Sequence, residues 1–224
     1  MTRRTNARVA GATFLLYIAV GITDLAAFGG ADAGSNPAER LASVARHASV
    51  APLQIGIALL ICVIATTLGA SLYGLTRDED QDLALLAFVF RAMEGMVAAI
   101  APLFTLALLS LATSGAAVGS ADASATNAVG GVLFKVSAWK ATVAAILFSF
   151  GSAIFTWLML RARMIPRPLA VLGFAASILL VAVLPLQLMG VLRGSMVNLV
   201  WVPMALFEIP LGFWLIFKGV EPAS

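Results

Sequence analysis

The sequence predicts an all-α, polytopic membrane helix bundle with six transmembrane helices, and three observations support this fold class. Of the 224 residues, 61% are hydrophobic and only 11% are charged, with a mean hydropathy of +1.01. The hydrophobic residues form six long runs separated by polar stretches. A soluble domain carries about 25% charged residues and cannot hide this much apolar surface from water. We therefore expect a single membrane domain over residues 1–224.

The six runs are long enough to cross a bilayer, which needs roughly 20 apolar residues in a helix that rises about 1.5 Å per residue. The third and fourth runs exceed one crossing and are expected to tilt or to project into water. The first follows MTRRTNAR, which is typical of a secretory signal, but it is long and contains Asp24, so a retained span is favoured. The runs cover residues 9–29, 50–75, 83–113, 130–160, 168–192 and 196–218.

The distribution of lysine and arginine predicts that both chain ends lie in the cytoplasm. In that orientation the cytoplasmic side carries the larger set of basic residues, as the positive-inside rule requires. The acidic stretch RDEDQD at 77–82 does not change the prediction, because acidic residues contribute little to this rule. The cytoplasmic set is Arg3, Arg4, Arg8, Arg77, Arg161, Arg163, Arg167 and Lys218, and the opposite set is Arg40, Arg46, Lys135 and Arg193.

Two connections on the outer side differ in character. In the first, Asn36 can cap a helix, Pro37 suits its first turn and Glu39 can reach back to the cap. This pattern predicts a short external helix near residues 36–48. The second connection, at residues 112–131, is rich in small and polar residues without an apolar period, and it predicts a loop of little order.

Composition excludes several classes of function. The only cysteine, Cys62, lies within a hydrophobic run and is expected to be inert packing, and the only histidine, His47, lies in an outer connection. Zinc hydrolases and haem proteins with two axial histidines need more imidazole than this, so no metal or other cofactor is predicted. The basic residues do not form a stripe with interleaved aromatics, so no nucleic-acid partner is predicted either.

Charged residues inside the predicted spans are the candidate functional residues. One such side chain at mid-bilayer costs at least about 2.5–3.5 kcal/mol, so these groups are expected to face the bundle interior. Arg91 and Glu94 are three residues apart and share a helix face. We expect a neutral polar cluster that joins spans three, four and six and forms a candidate ligand- or ion-binding site. Its members are Arg91, Glu94, Lys140 and Glu208, with Asp24 nearer a span end.

Such a cluster has two interpretations. Polar contacts between membrane helices often serve only to fix which helices meet. Intramembrane ionisable groups also commonly line a ligand or ion pathway. Prolines within the spans favour a pathway slightly, because each removes a backbone donor and transporters use such interrupted helices at mid-membrane sites. Pro203 and Pro210 flank Glu208, and Pro102 and Pro185 interrupt two other spans.

Three stretches of the chain together resemble a bacterial family labelled domain of unknown function 4386. They are FRAMEG at 90–95, RARMIPRPLAVLGF at 161–174 and PMALFEIPLGFWLIFKGV at 203–220. The resemblance implies about six spans in the bacterial cytoplasmic membrane and singles out Arg91, Glu94 and Glu208, but it implies no substrate. The RARMIPR stretch departs from the family pattern, which more often has serine, glycine and an aromatic residue there, and Lys140 matches no family motif.

Three hypotheses for function remain open at this level. In the first, the polar core binds a small molecule, an ion or a lipid headgroup for transport or sensing. In the second, the protein is a structural or partner-binding membrane subunit, and the charges only fix helix packing; the sequence identifies no protein partner. In the third, Glu94 or Glu208 acts as a general acid or base in an intramembrane enzyme, although no nucleophile–base pair is recognisable. The sequence favours a non-enzymatic role in contact with the lipid bilayer.

Overall fold

The computed structural model describes residues 2–113, 121–192 and 199–220, and all regular secondary structure in these ranges is helical. The predicted all-α class is therefore confirmed. The described helices are α1 (Arg3–Phe28), α2 (Pro37–Arg46), a 3-10 turn (Ala48–Val50), α3 (Ala51–Thr76), α4 (Gln81–Thr113), α5 (Ala121–Arg161), α6 (Arg167–Leu188) and α7 (Val202–Phe217).

Five of the described helices are long and apolar enough to cross a membrane, namely α1, α3, α4, α5 and α6. Helix α7 is also apolar but has 16 residues, which at about 1.5 Å per residue falls short of a bilayer core. The five long helices indicate a multi-pass membrane protein. The predicted long third and fourth spans correspond to α4 with 33 residues and α5 with 41.

The long helices and α7 form a closed ring. Each packs against its neighbours in the order α1, α3, α4, α5, α6, α7, and α7 returns to α1. One continuous apolar core runs through all six, and it includes Ala10, Leu68, Ala87, Phe155, Leu180 and Leu211. Small residues allow the close approaches: a Cβ on Gly173 of α6 would collide with the ring of Phe207 on α7. The ring surrounds the buried side chains of Arg91 and Glu94 on α4.

Helix α1 packs closely against α7 and against the end of α3. A Cβ on Gly11 would lie 2.5 Å from the carbonyl oxygen of Gly212 and 2.8 Å from Ile216, both on α7. A Cβ on Gly74, near the end of α3, would collide with the side-chain amide of Asn6. The start of α1 therefore packs beside the ends of α3 and α7.

Helix α2 lies across α4 and α5 and begins with the cap that the sequence predicts. The Asn36 Oδ1 accepts from the backbone N–H of Glu39 at 2.9 Å, and Pro37 occupies the first turn. The Ser35 backbone N–H donates to Glu39 Oε2 at 2.9 Å, and this hydrogen bond, with further ones from Ser35 and Asn36, lowers the pKa of Glu39 below its usual value. Leu41 anchors the helix in a small apolar cluster with Leu108 and Phe134.

Two details of the sequence-based prediction are corrected. The stretch 112–131 is not a loop throughout, because α5 begins at Ala121 and continues through it; alanine is the strongest helix former and dominates this start. Residues 114–120 lie outside the described residues. Pro203 does not interrupt a helix but sits in the first turn of α7, where a backbone donor would be unpaired in any case.

Candidate functional site

The centre of the ring holds an ion pair within α4. The Arg91 Nη1 lies 2.6 Å from Glu94 Oε2, and the two side chains are 2% and 4% exposed. Neither atom meets hydrogen-bond geometry, so the contact is an electrostatic one at short distance and not an aligned hydrogen bond. Spacing of three residues places both groups on one helix face, as predicted from the sequence.

Two glycines on neighbouring helices make room for the Arg91 side chain. A Cβ on Gly69 of α3 would lie 2.8 Å from Arg91 Cβ, and one on Gly151 of α5 would lie 3.2 Å from Arg91 Cγ and Cδ. The guanidinium carbon then lies 4.9 Å from the ring centroid of Phe148 and 5.6 Å from that of Tyr17. Such distances allow cation–π attraction, which partly replaces the hydration that a buried guanidinium loses.

Helix α1 contributes the closest hydrogen bond to the ion pair. The Tyr17 hydroxyl donates to Glu94 Oε1 at 2.6 Å, so the carboxylate contacts Arg91 through one oxygen and Tyr17 through the other. Sequence reasoning missed Tyr17. The available signal was that the chain has only two tyrosines and that this one lies in the middle of a hydrophobic run.

A cavity of about 340 Å³ adjoins this network inside the ring. Glu94 lines it from α4 and Glu208 lines it from α7, and both are among the predicted candidates. Glu208 makes no hydrogen bond or ion pair with any residue in the described ranges. It interacts electrostatically with Arg91 and Glu94. Two residues further on, Pro210 leaves the carbonyl of Leu206 without its helical donor.

Lys140 lines the same cavity but belongs to a different local group. Its charged neighbour is Asp24 of α1, which interacts with it electrostatically at a distance beyond an ion pair. Its Nζ lies 5.8 Å from the ring centroid of Phe104. Among the described residues, Lys140 forms no ion pair with Glu94 or Glu208. The structure thus divides the predicted cluster into an inner group at Arg91 and Glu94 and an outer pair of Lys140 and Asp24.

A second cavity of about 240 Å³ continues from the outer pair towards α2. Asp24 and Lys140 line both cavities, so the two spaces meet at this pair. His47 and Asp32, from the connections on either side of α2, line the far part of the second cavity. The two cavities together extend from the polar segment around α2 to the buried carboxylate of Glu94.

The main cavity combines acidic, aromatic and small apolar surfaces. Its lining carries three carboxylates against the one ammonium of Lys140, and Arg91 behind Glu94 brings the formal sum to minus one. Phe148 and Trp201 also line the cavity and pack against each other at 5.9 Å between ring centroids. In the described ranges, no group of three or more His, Cys, Asp or Glu side chains is placed to hold a metal ion.

This fold and this polar core define a multi-pass helical membrane protein with an ion pair buried inside a ring of helices. The chain matches the family model described as Domain of unknown function (DUF4386) over residues 9–219, and it belongs to that family. No curated protein and no solved structure matches the chain. The resemblance predicted from the three sequence motifs is therefore confirmed, and the match covers all of the site residues.

Proposed function

We propose that this protein binds a small, positively charged organic molecule in the cavity inside the helical ring, for transport or sensing. Glu208 is the observation that carries the proposal. It is a carboxylate in the interior of a membrane protein, it faces a cavity and it has no ion-pair partner within the described ranges. A group of this kind is expensive in apolar surroundings unless a partner accompanies it.

Aromatic rings near the carboxylates support a cationic ligand over a metal ion. Tyr17, Phe148 and Trp201 line the cavity together with Glu94 and Glu208. Ring faces attract ammonium groups, and carboxylates supply the opposite charge. The volume of about 340 Å³ lies within the range of small-molecule sites, roughly 300–1,000 Å³, and the remaining lining is largely alanine, valine and isoleucine.

The second cavity provides an approach to the site from the α2 end. A ligand ammonium group would pass Asp32 and then Asp24 before reaching Glu208. Acidic groups along such a path raise the local concentration of a cation. Lys140 and Asp24 both lie at the junction of the two cavities, and their formal charges cancel there.

Thermal unfolding of the purified protein in detergent tests the proposal. Butylammonium and tetramethylammonium, with 1-butanol as the neutral counterpart of butylammonium, should be titrated against wild type and against Glu208→Gln. We expect an amine-dependent rise of the melting temperature in wild type that Glu208→Gln loses while keeping its ligand-free melting temperature. Equal shifts in both proteins, or no shift with any amine, would overturn the proposal.

A structural role is the alternative, because the Arg91 and Glu94 network ties α4 to its neighbours through Tyr17, Gly69 and Gly151. If Glu208→Gln fails to accumulate in the membrane although Glu39→Gln, the same change at an exposed position on α2, accumulates, the charge at Glu208 serves assembly. If an amine does stabilise the wild-type protein, a measurement of its uptake into proteoliposomes distinguishes transport from sensing.

We also propose that α7 is the sixth span, that both chain ends face the cytoplasm and that the membrane is the bacterial cytoplasmic one. Helix α7 packs between α6 and α1, both of which have spanning length, so it shares their depth. The bilayer can thin locally around a short apolar helix. Reporter fusions after Lys218 and between α1 and α2 test this, since the proposal requires opposite sides for the two positions.

A further inference from the structure

The turn between α5 and α6 places an arginine in a backbone conformation that favours glycine. Arg163 has a φ of 52°, and it is the one non-glycine residue with positive φ in the described part of the chain. The Met164 N–H donates to the Met159 carbonyl at 3.0 Å, and the Arg163 N–H donates to the Leu160 carbonyl at 3.3 Å. These two bonds form a Schellman cap, whose left-handed position is usually glycine.

A strained residue persists where its surroundings hold it and where its side chain has a use. Met164 and Ile165, which follow Arg163, are 1% and 3% exposed and anchor the turn in the apolar core. They explain how the turn tolerates the strain, but they do not explain why the left-handed position carries an arginine.

Arg163 lines a surface pocket of about 530 Å³ with two further arginines, Arg161 and Arg167. The Nε of Arg161 lies 2.6 Å from Glu79 Oε1, so Glu79 neutralises this guanidinium and holds it in place. Arg163 and Arg167 form no ion pair with any described residue. The pocket therefore carries an excess of positive charge.

The position of the pocket relates it to the membrane surface. It lies at the turn between α5 and α6, two helices of spanning length, so we expect it at the level of the lipid headgroups. Leu160 and Val171 supply apolar lining, and Val171 is 48% exposed. The arginines can contact the anionic headgroup of a lipid, and the apolar surface beside them can contact its acyl chains.

The start of α6 adds to the attraction for an anion. Arg167 is its first residue, Pro166 precedes it and no side chain caps the helix. The first backbone N–H groups of a helix carry partial positive charge and attract phosphates. Arginine contributes two parallel N–H donors to a phosphate, which lysine cannot do.

We propose that the pocket of Arg161, Arg163 and Arg167 binds the phosphate of an anionic phospholipid headgroup. Arg163 and Arg167 are the direct ligands, and Arg161, fixed by Glu79, forms the wall. This site is independent of the cavity inside the ring.

Delipidated protein, titrated with phosphatidylglycerol and followed by thermal unfolding, tests the proposal, with phosphatidylcholine as the zwitterionic control lipid. We expect phosphatidylglycerol to raise the melting temperature of wild type more than phosphatidylcholine does. Arg163→Gly relieves the strained turn, so its lipid-free melting temperature should match or exceed that of wild type, while its affinity for phosphatidylglycerol falls about tenfold or more. Arg167→Gln should lose affinity as well, and Arg46→Gln, an exposed arginine on α2, should keep it.

Three outcomes would overturn the proposal. Phosphatidylcholine and phosphatidylglycerol could shift wild type equally, which would mean that the anionic headgroup is not recognised. Arg163→Gly and Arg167→Gln could both retain full affinity, which would place the lipid elsewhere. Inorganic phosphate could reproduce the stabilisation at low millimolar concentration and with the same dependence on Arg163, which would identify the ligand as a soluble anion.

Discussion

Arg91 and Glu94 neutralise each other within a single helix, with 2.6 Å between Nη1 and Oε2. Because both belong to α4, the pair can form before the helices assemble, and it lowers the cost of placing two charges in a membrane. Other contacts connect this pair to the neighbouring helices. They include the hydrogen bond from the Tyr17 hydroxyl to Glu94 and the fit of the Arg91 stem against Gly69 and Gly151.

Removal of one member of the ion pair should destabilise the protein more than removal of both. Glu94→Gln leaves Arg91 as an uncompensated buried charge, which costs about 3–5 kcal/mol. The double variant Arg91→Gln/Glu94→Gln removes both charges and should recover most of that loss. Equilibrium unfolding in mixed micelles measures the difference, and a double variant less stable than Glu94→Gln would show that the pair is not coupled in this way.

Loss of the Tyr17 hydroxyl should weaken the fold without changing its packing. Tyr17→Phe deletes a hydrogen bond to a charged, buried acceptor, and we expect a loss of about 1.5–3 kcal/mol in the free energy of unfolding. Tyr73→Phe is the matched control, because Tyr73 packs against Phe88 and its hydroxyl makes no hydrogen bond with described residues. Equal losses in the two variants would contradict the role given to Tyr17.

The close contact between Gly69 and Arg91 predicts that a glycine-to-alanine substitution on α3 destabilises the protein at this position and not at others. Gly69→Ala places a Cβ 2.8 Å from Arg91 Cβ, and we expect a destabilisation of about 1–3 kcal/mol from overpacking. Gly56→Ala, on the same helix, meets nothing within 4 Å and should be neutral or stabilising by up to about 1 kcal/mol. Thermal unfolding of both variants decides this, and similar melting temperatures would refute the close fit.

The cap of α2 should depend on pH through Glu39. Because hydrogen bonds from Ser35 and Asn36 lower the pKa of Glu39 in the folded state, ionised Glu39 stabilises the cap above its unfolded pKa of about 4.3. That contribution is lost as pH falls below this value and through the lower folded pKa. Hydrogen exchange of α2 amides, corrected for intrinsic rates, should accelerate between pH 5 and pH 3. Glu39→Gln should lack this change, and an identical acceleration in that variant would exclude Glu39 as its source.

Several features follow from sequence because their causes are local. The long apolar runs predict α1 and α3 to α6 through their length alone, and Asn36 with Glu39 predicts α2 through a cap that involves only neighbouring residues. The separation of three residues predicts that Arg91 and Glu94 share a helix face. The start of α5 at Ala121 was not predicted, because helix formation in an alanine-rich stretch depends weakly on a hydrophobic period.

Composition and spacing by themselves determined that this is a helical membrane protein, and they identified the charged residues that must face away from lipid. Both conclusions follow from residue type, because residue type sets the gain from burying apolar surface and the cost of placing a charge in hydrocarbon. Only the tertiary structure decided which charges meet. It set Glu94 against Tyr17 of a distant helix, left Glu208 facing a cavity and moved Lys140 to a separate pair with Asp24. The order and rotation of helices around the ring determine these distances, and they arise from contacts such as Gly69 with Arg91 and Gly173 with Phe207, which link residues far apart in the chain.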